Sequence, residues 1–333
     1  MNIPNELKLQ IKDYKKLWQD DQIKKGAYDE DFEIIEYLKK KYIFDSLLGA
    51  GSGGIVWKAK NLENNNLVAI KIMNNQDGIY EYKILDYINK NAKNIRFFTK
   101  LYEKNDFKNK MALVMEYIEG YTVEDYIKYI QENNINPREE TLTWLIKNII
   151  EGYKNLHSIK VSHRDVKPEN IMVTLTNIKI IDYGHACLTN IDNELKCKEI
   201  KGSFSYRSPE FIKEDKSQIS SLDFLKSDVY SVGAIFYELI TKQSIPTQNI
   251  LKTSTNFDDA MQNLIISNIF LKKFQNILIP MLKFDPNKRP SMEELNNKLN
   301  PRSNLYGGKS FYDKYKKYKY KYLAYKQKII KNN

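Results

Sequence analysis

Cysteine, histidine and tryptophan are scarce in this sequence, with two Cys, three His and three Trp among 333 residues. Two cysteines, Cys187 and Cys197, are too few for a disulfide framework, and both are expected as free thiols of a reducing compartment. With so few histidines, a His/Cys metal centre is not expected. No apolar run approaches the roughly 20 residues that a membrane-spanning helix needs. Met1 to Gln10 alternates polar and apolar residues and lacks the apolar stretch of a signal peptide, so an intracellular protein is expected. Repeats of roughly 20–50 residues, the mark of solenoids, are also missing.

What is present is ordinary in amount and uneven in place. Hydrophobic residues make up 42% and charged residues 29%, which suits a globular chain long enough to bury a large core. The net charge is +11, yet Arg302 to Asn333 alone holds ten basic residues and one acidic, which leaves +2 on the rest. The basic character therefore belongs to a tail. In that tail Phe311, Tyr315, Tyr318, Tyr322, Tyr325 and Ile329 recur in alternating steps of four and three, a heptad seam of mostly aromatic residues set among lysines. Such a seam suits a helix docked on the protein's own body or on another chain, and Tyr with Lys also suits nucleic acid or an anionic surface. A Lys/Tyr-rich tail of this kind is similar to tails in proteins of large DNA viruses.

Residues 5–41 carry helical spacing, with Leu7, Ile11, Tyr14, Leu17 and Trp18 before a break near Gly26 and Phe32, Ile35 and Leu38 after it. Val68–Met73 and Lys110–Ile118 are apolar runs suited to buried or half-buried strands. From about Thr122 the patterns turn helical, as in Thr141–His157, Asp228–Thr241 and Leu264–Leu282. A β-rich first third followed by an α-rich remainder implies two lobes with a site between them.

Between two short apolar runs lies Gly49-Ala50-Gly51-Ser52-Gly53-Gly54-Ile55-Val56, of the form G-x-G-x-x-G-x-V. Glycines permit a tight turn and let backbone N–H groups approach phosphate oxygens unobstructed. The string alone also fits a plain turn or a dinucleotide-binding loop, but the latter needs a helix directly after the glycines. Ile55-Val56-Trp57-Lys58-Ala59 is strand-like, which favours a hairpin lying over phosphates. Val68-Ala69-Ile70-Lys71 follows, and a lysine among apolar strand residues is costly to bury without a partner. It is either a surface-facing lysine on an edge strand or a cation held against phosphates by a glutamate.

Ser162-His163-Arg164-Asp165-Val166-Lys167-Pro168-Glu169-Asn170 matches H-R-D-x-x-x-x-N over its full length. With the glycine loop and the V-A-I-K strand, the chain resembles the eukaryotic-type protein kinases over roughly residues 42–300. The resemblance implies an α+β fold of two lobes, a β-rich N-lobe with a helix called αC and a mostly helical C-lobe. The implied division is a helical extension over 1–41, an N-lobe over 42–117, a C-lobe over 118–300 and the basic tail over 301–333.

The implied chemistry is transfer of the γ-phosphate of ATP to protein hydroxyls, with Mg²⁺, a reaction that asks for positioning and charge stabilisation more than for covalent work. Asp165 would accept the proton of the substrate hydroxyl, and Lys167 resembles the lysine that serine/threonine kinases set against the transferred phosphate. Asn170 would hold one Mg²⁺ and Asp182 the main one. Asp182-Tyr183-Gly184 stands where the family has D-F-G, so the Tyr183 hydroxyl needs a partner if buried. Glu81 resembles the αC glutamate that pairs with Lys71, although only ten residues separate them and the connection must be short. Gly49, Gly51, Gly54 and Lys71 would cradle phosphates. Val56, Ala69 and Met172 would close around the adenine, Met115 would be the gatekeeper, and Glu116 and Ile118 would offer backbone hydrogen bonds to the base.

Further likenesses bear on support, regulation and substrate. Leu85, Leu101, His163 and Tyr183 would stack between the lobes. Ser208-Pro209-Glu210 replaces A-P-E, and Arg289 resembles the arginine that pairs with its glutamate. Asp228 and Gly233 belong to a helix that anchors the catalytic loop. The activation segment spans Asp182 to Glu210; Glu199 occupies its usual phosphorylation position and is expected to pair with Arg164, while Ser203 resembles the residue that helps hold the catalytic Asp. Glu169 and Glu238 resemble acidic positions that attract a basic residue before the target serine, with Thr122 where a further acidic contact would be. Two alternatives are an inactive pseudokinase scaffold that binds partners and a small-molecule kinase of related fold. Retention of Lys71, Asp165, Asn170 and Asp182 speaks against the first, and Ser208-Pro209-Glu210 with Arg289 against the second.

Overall fold

The computed structural model describes residues 32–51, 53–189, 194–212 and 223–300. The heptad seam of the tail and the first half of the expected N-terminal helical stretch lie outside the described residues.

Helix α1 (Phe32–Leu38) leads into strands β1 (Tyr42–Gly51), β2 (Gly54–Asn61) and β3 (Leu67–Asn74). Helix α2 (Asn75–Asn91) starts directly after β3, and β4 (Leu101–Phe107) and β5 (Lys110–Glu116) complete an antiparallel sheet of order β1-β2-β3-β5-β4. Strand β3 is buried from Val68 through Met73 because both faces of the sheet are covered. The period of two sends Val68, Ile70 and Ile72 to one face, where they pack with Ile34, Leu38, Tyr42, Ala59, Ala112 and Val114. Ala69, Lys71 and Met73 take the opposite face. The spacing of Ile34 and Leu38, four residues apart, puts both on one stripe of α1, and each is 1% exposed. Helix α1 thus closes this core.

Gly78 lets α2 begin at once. A Cβ there would meet the Met111 side chain at 2.7 Å, so α2 lies against β5 with no room to spare. The short connection expected between Lys71 and Glu81 is realised as a helix with no intervening loop.

The remainder carries two small sheets, β6 (Tyr121–Thr122) with β8 (Ile171–Val173) and β9 (Ile178–Ile180), and β7 (Val161–Ser162) with β10 (Cys187–Leu188). Its helices are α3 (Val123–Glu132), α4 (Glu139–Ser158), α5 (Pro209–Ile212), α6 (Phe224–Thr241), α7 (Thr247–Thr253), α8 (Phe257–Ser267), α9 (Ile269–Lys272), α10 (Gln275–Met281) and α11 (Met292–Leu299). Helix α6 is buried along almost its whole length, as a helix apolar all round must be. Two lobes, one a sheet and one mostly helical, are the bilobal arrangement expected.

Two expectations are corrected. Leu264–Leu282 is not one helical run: the Asn268 side chain accepts from the Phe270 and Leu271 N–H groups, ending α8 and starting α9. An asparagine caps better than it propagates, so the apolar period survives while the helix breaks. Cys187 and Cys197 are not free thiols but a disulfide with Cα atoms 5.1 Å apart. Cysteine count gave no hint of this, because the pairing depends on the chain doubling back so that Cys197 N–H donates to the Leu188 carbonyl.

Leu38→Ala is expected to cost about 3–5 kcal/mol in urea unfolding, in the range of buried leucine truncations. A loss below about 1 kcal/mol would show that α1 is not part of the core.

Candidate active site

The sheet brings together by register several of the residues expected at a nucleotide. Gly49 pairs with Val56 and Val56 with Lys71, while Ala69 pairs with Met115 and Met115 with Leu101. Residues opposite one another share a face, and positions two apart on β3 share it too. One face of the sheet therefore presents Gly49, Val56, Ala69, Lys71 and Met115 together. The glycines form the turn of the β1–β2 hairpin, with Gly51 opposite Gly54 and no helix after it. Gly54 has φ +111°, and a Cβ there would meet the Ile72 carbonyl at 2.3 Å. A Cβ on Gly53 would stand 3.7 Å from Lys71 Nζ, so the turn passes over the amine. Gly49 and Gly51 face open space, as backbone that must approach a ligand should. Ile118 is buried and Met172, in β8, half-buried. The Glu116 side chain is held by Lys179 at 2.7 Å.

Lys71 is buried and fully partnered. Its ammonium donates to Glu81 Oε1 and Oε2 at 2.8 and 2.6 Å and to Asp182 Oδ1 at 2.8 Å. Burial acts to lower its pKa, but the charges of Glu81 and Asp182 outweigh that and raise it. Burial likewise acts to raise the Asp182 carboxyl, and the Lys71 charge overcomes it and holds the group at about 2. Asp182 has φ +62°, a left-handed conformation costly for a residue with a Cβ, and it sits where the chain turns out of β9. Tyr183 is 1% exposed, and its hydroxyl donates to the Ile180 carbonyl at 2.7 Å, the partner that replacing Phe by Tyr demands. Its ring packs against His163 with centroids 5.5 Å apart. Leu85 is fully buried and Leu101 half-buried.

The catalytic loop hangs from one carboxylate. Asp228, on α6 and 1% exposed, accepts from His163 N–H at 2.7 Å, Arg164 N–H at 3.0 Å and Ser162 Oγ at 3.1 Å. His157 Nε2 stands 3.1 Å from the same carboxylate. These bonds allow Arg164 its φ of +62°, which turns the chain so that Asp165 faces outward from the loop.

Four groups converge on Asp165. Its Oδ1 accepts from Ser203 N–H and Ser203 Oγ, both at 2.8 Å. Its Oδ2 lies 2.9 Å from Lys167 Nζ and accepts from Asn170 Nδ2 at 3.2 Å. Burial acts to raise the Asp165 carboxyl, yet the bond and charge of Lys167 and the bond from Ser203 leave it below the ordinary carboxylate range. The group is ionised at neutral pH, as a proton acceptor must be. Ser203 takes the place expected of it, held by Gly202, whose φ of +98° and close approach to the Arg164 carbonyl exclude any side chain.

Asp182 and Asn170 carry the side-chain oxygens that could hold a metal here. The Asn170 amide nitrogen is spent on Asp165, which leaves its oxygen as the ligand atom. The Asp182 side chain remains 42% exposed and ionised. Among the described residues no three His, Cys, Asp or Glu side chains form a closed metal cage. A carboxylate and an amide oxygen suit Mg²⁺, which keeps water and substrate phosphates in its remaining positions.

Two further buried charges brace the helical lobe. Arg289, 1% exposed, makes a bidentate pair with Glu210 at 2.7 and 2.5 Å and donates to the Lys283 and Phe284 carbonyls at 2.8 Å each. Gly233 lets α6 approach Met281 and Leu282, where a Cβ would stand 3.0–3.1 Å away.

A model of the protein kinase domain matches residues 42–299. The chain belongs to the protein kinase family. A probable serine/threonine-protein kinase of Dictyostelium discoideum is 30% identical to this kinase over 234 residues, which are 65% of this chain and 33% of that one. Mitogen-activated protein kinase kinase 9 of Arabidopsis thaliana is 28% identical over 59% of this chain and 62% of its own. Serine/threonine-protein kinase PrkC of Bacillus subtilis is 27% identical over 61% of this chain and 31% of its own. The kinase thus spans about a third of the length of the Dictyostelium and Bacillus relatives. These relatives lend no support to the viral likeness of the tail.

One expected contact is differently made. Glu199 does not offer its carboxylate to Arg164; Arg164 Nη1 donates to the Glu199 backbone carbonyl at 2.6 Å, and the carboxylate pairs with Lys201 at 2.9 Å. Thr122 caps α3, where its hydroxyl accepts from Asp125 N–H and the Asp125 carboxylate accepts in return. Glu238 accepts from Tyr206 Oη at 2.6 Å, and burial raises its pKa and that of Glu169. The charge of Glu124, in the first turn of α3, acts on both of these glutamates. Sequence gave no sign of Glu124, since only the fold brings α3 beside residues so distant in the chain. His185 was also unassigned; its Nδ1 is buried without a hydrogen bond, 3.9 Å from Asp165 Oδ2.

Glu210→Ala would strand the buried Arg289 charge and is expected to cost about 3–5 kcal/mol by chemical denaturation. The depressed Asp182 pKa stabilises the fold fully above the ordinary value of 3.8, a contribution lost as pH falls through about 2. Asp182→Asn is expected to flatten the stability profile over that window, read by denaturant titrations at stepped pH.

Proposed function

We propose that this kinase transfers the γ-phosphate of Mg·ATP to serine or threonine hydroxyls of proteins. The observation that carries the reading is the set around Asp165: an ionised carboxylate bonded by Lys167, Asn170 and Ser203, beside a Lys71–Glu81–Asp182 triad under a glycine turn. Asp165 accepts the proton of the attacking hydroxyl. Lys167 neutralises charge on the transferred group, and Lys71 orients the phosphates while Glu81 fixes its position. Asp182 and Asn170 would hold Mg²⁺, which would supply charge compensation at the phosphate oxygens. The rows Gly49–Val56–Lys71 and Ala69–Met115, with Met172, Glu116 and Ile118, enclose the nucleotide. Lys167 two residues after Asp165, and relatives named as serine/threonine kinases, favour an alcohol over a phenol as acceptor. Glu169 and Glu238 with Glu124 favour a substrate with a basic residue near the target.

Labelled phosphate transfer to generic protein substrates should appear on serine or threonine. Asp165→Asn should lower it by about 10²–10⁴-fold, the usual worth of a positioned general base. ATP binding with no transfer by the wild type would instead favour the scaffold reading. Glu199→Ala should keep most of the activity, since Arg164 is met by the backbone of that residue; a large loss would mean the carboxylate matters.

A further inference from the structure

Cys187 lies in β10, fully buried and hydrogen-bonded into β7, the strand that runs straight into His163, Arg164 and Asp165. Its position is therefore set by the same body that sets the catalytic loop. After Leu188 the chain returns: Leu188 N–H donates to the Leu195 carbonyl at 2.8 Å and Cys197 N–H to the Leu188 carbonyl at 3.2 Å. The Cys187–Cys197 bond then joins the returning strand to β10. Two residues further, the Glu199 carbonyl reaches Arg164, and at Ser203 the chain bonds to Asp165 twice. The cross-link stands between the anchored start of the activation segment and the part that touches the catalytic carboxylate. Among the described residues the return also carries backbone bonds, an exposed Lys83–Glu194 pair and the Arg164 contact. Exposed ion pairs hold little. The Glu199 carboxylate pairs with Lys201, and its charge acts on Arg164 through space without an ion pair between them.

We infer that Cys187 and Cys197 are a reversible thiol–disulfide site, and that its oxidised state holds the activation segment in the order that places Ser203 on Asp165. The reagent class is a small disulfide such as oxidised glutathione. Cys197, half-buried and so the reachable sulfur, attacks one sulfur of the small disulfide as its thiolate and expels a thiolate, giving a mixed disulfide. Cys187 as its thiolate then attacks the Cys197 sulfur and expels the second small thiolate. The protein dithiol loses two electrons and two protons, and one small disulfide becomes two thiols. A small dithiol reductant reverses the steps.

The test uses the full chain equilibrated with oxidised or reduced glutathione, freed of reagent, mapped for the 187–197 cross-link, then exposed to trypsin and assayed for phosphate transfer. Closing a ring of this size removes chain entropy from the loosened state, so tryptic cleavage after Lys198 and Lys201 should be about tenfold slower in the oxidised form. Cys197→Ser should cleave at the reduced rate under both treatments. Where transfer is measurable, its kcat/KM should be several-fold higher in the oxidised form. The inference is overturned if oxidised glutathione leaves the thiols free, or if cross-linked and reduced protein are cleaved at one rate. The activity arm rests on the kinase reading and the other arms do not: slower cleavage without transfer in either state would count against that reading alone.

Discussion

The buried ammonium of Lys71 is the constraint on which the rest of the site depends. An unpaired charge at that depth would cost several kcal/mol, so the amine must be met by carboxylates. Glu81 comes from α2 and Asp182 from the chain leaving β9, two elements far apart in sequence. A single cation thus ties the sheet, the helix laid against it and the segment that carries the metal ligand. Its other consequence is electrostatic: the same cation keeps Asp182 ionised where burial alone would favour the neutral acid.

The helical lobe uses the same device with the signs reversed. Asp228 is a buried anion met by two backbone N–H groups, a hydroxyl and a histidine, all within Ser162–Arg164 and α4. Arg289 is a buried cation met by Glu210 and three carbonyls. Each buried charge fixes a stretch of irregular backbone that no helix or strand could hold. Arg164 and Asp182 can adopt left-handed conformations because these neighbours bind the surrounding chain in place. Catalytic geometry on loops is rigid here because the loops are wired to charges in the core.

The activation segment departs from this pattern. Its contacts with the loop run through backbone carbonyls and through Ser203, and a covalent bond rather than an ion pair crosses its first turn. The substitution of glutamate at position 199 could be read along the chain, but the direction of its carboxylate could not, since Lys201 competes for it at close range. The basic tail, the most conspicuous feature of composition, lies outside the described residues.

The motifs are short strings in which spacing along the chain equals proximity in space, so the grouping of Asp165 with Lys167 and Asn170, the pairing of Lys71 with Glu81 and the two-lobed fold could be read from sequence alone. What required the tertiary structure were relations between segments distant in the chain or turned by single residues. The packing of α1 on the sheet, the break at Asn268, the approach of Glu124 to Glu169 and Glu238, and the meeting of Cys187 with Cys197 all belong here. The reason is physical: periodicity and local spacing encode which residues are buried and what a loop can bind. A long-range pair forms only where the whole chain brings two backbones within reach, and two cysteines carry no local sign of it.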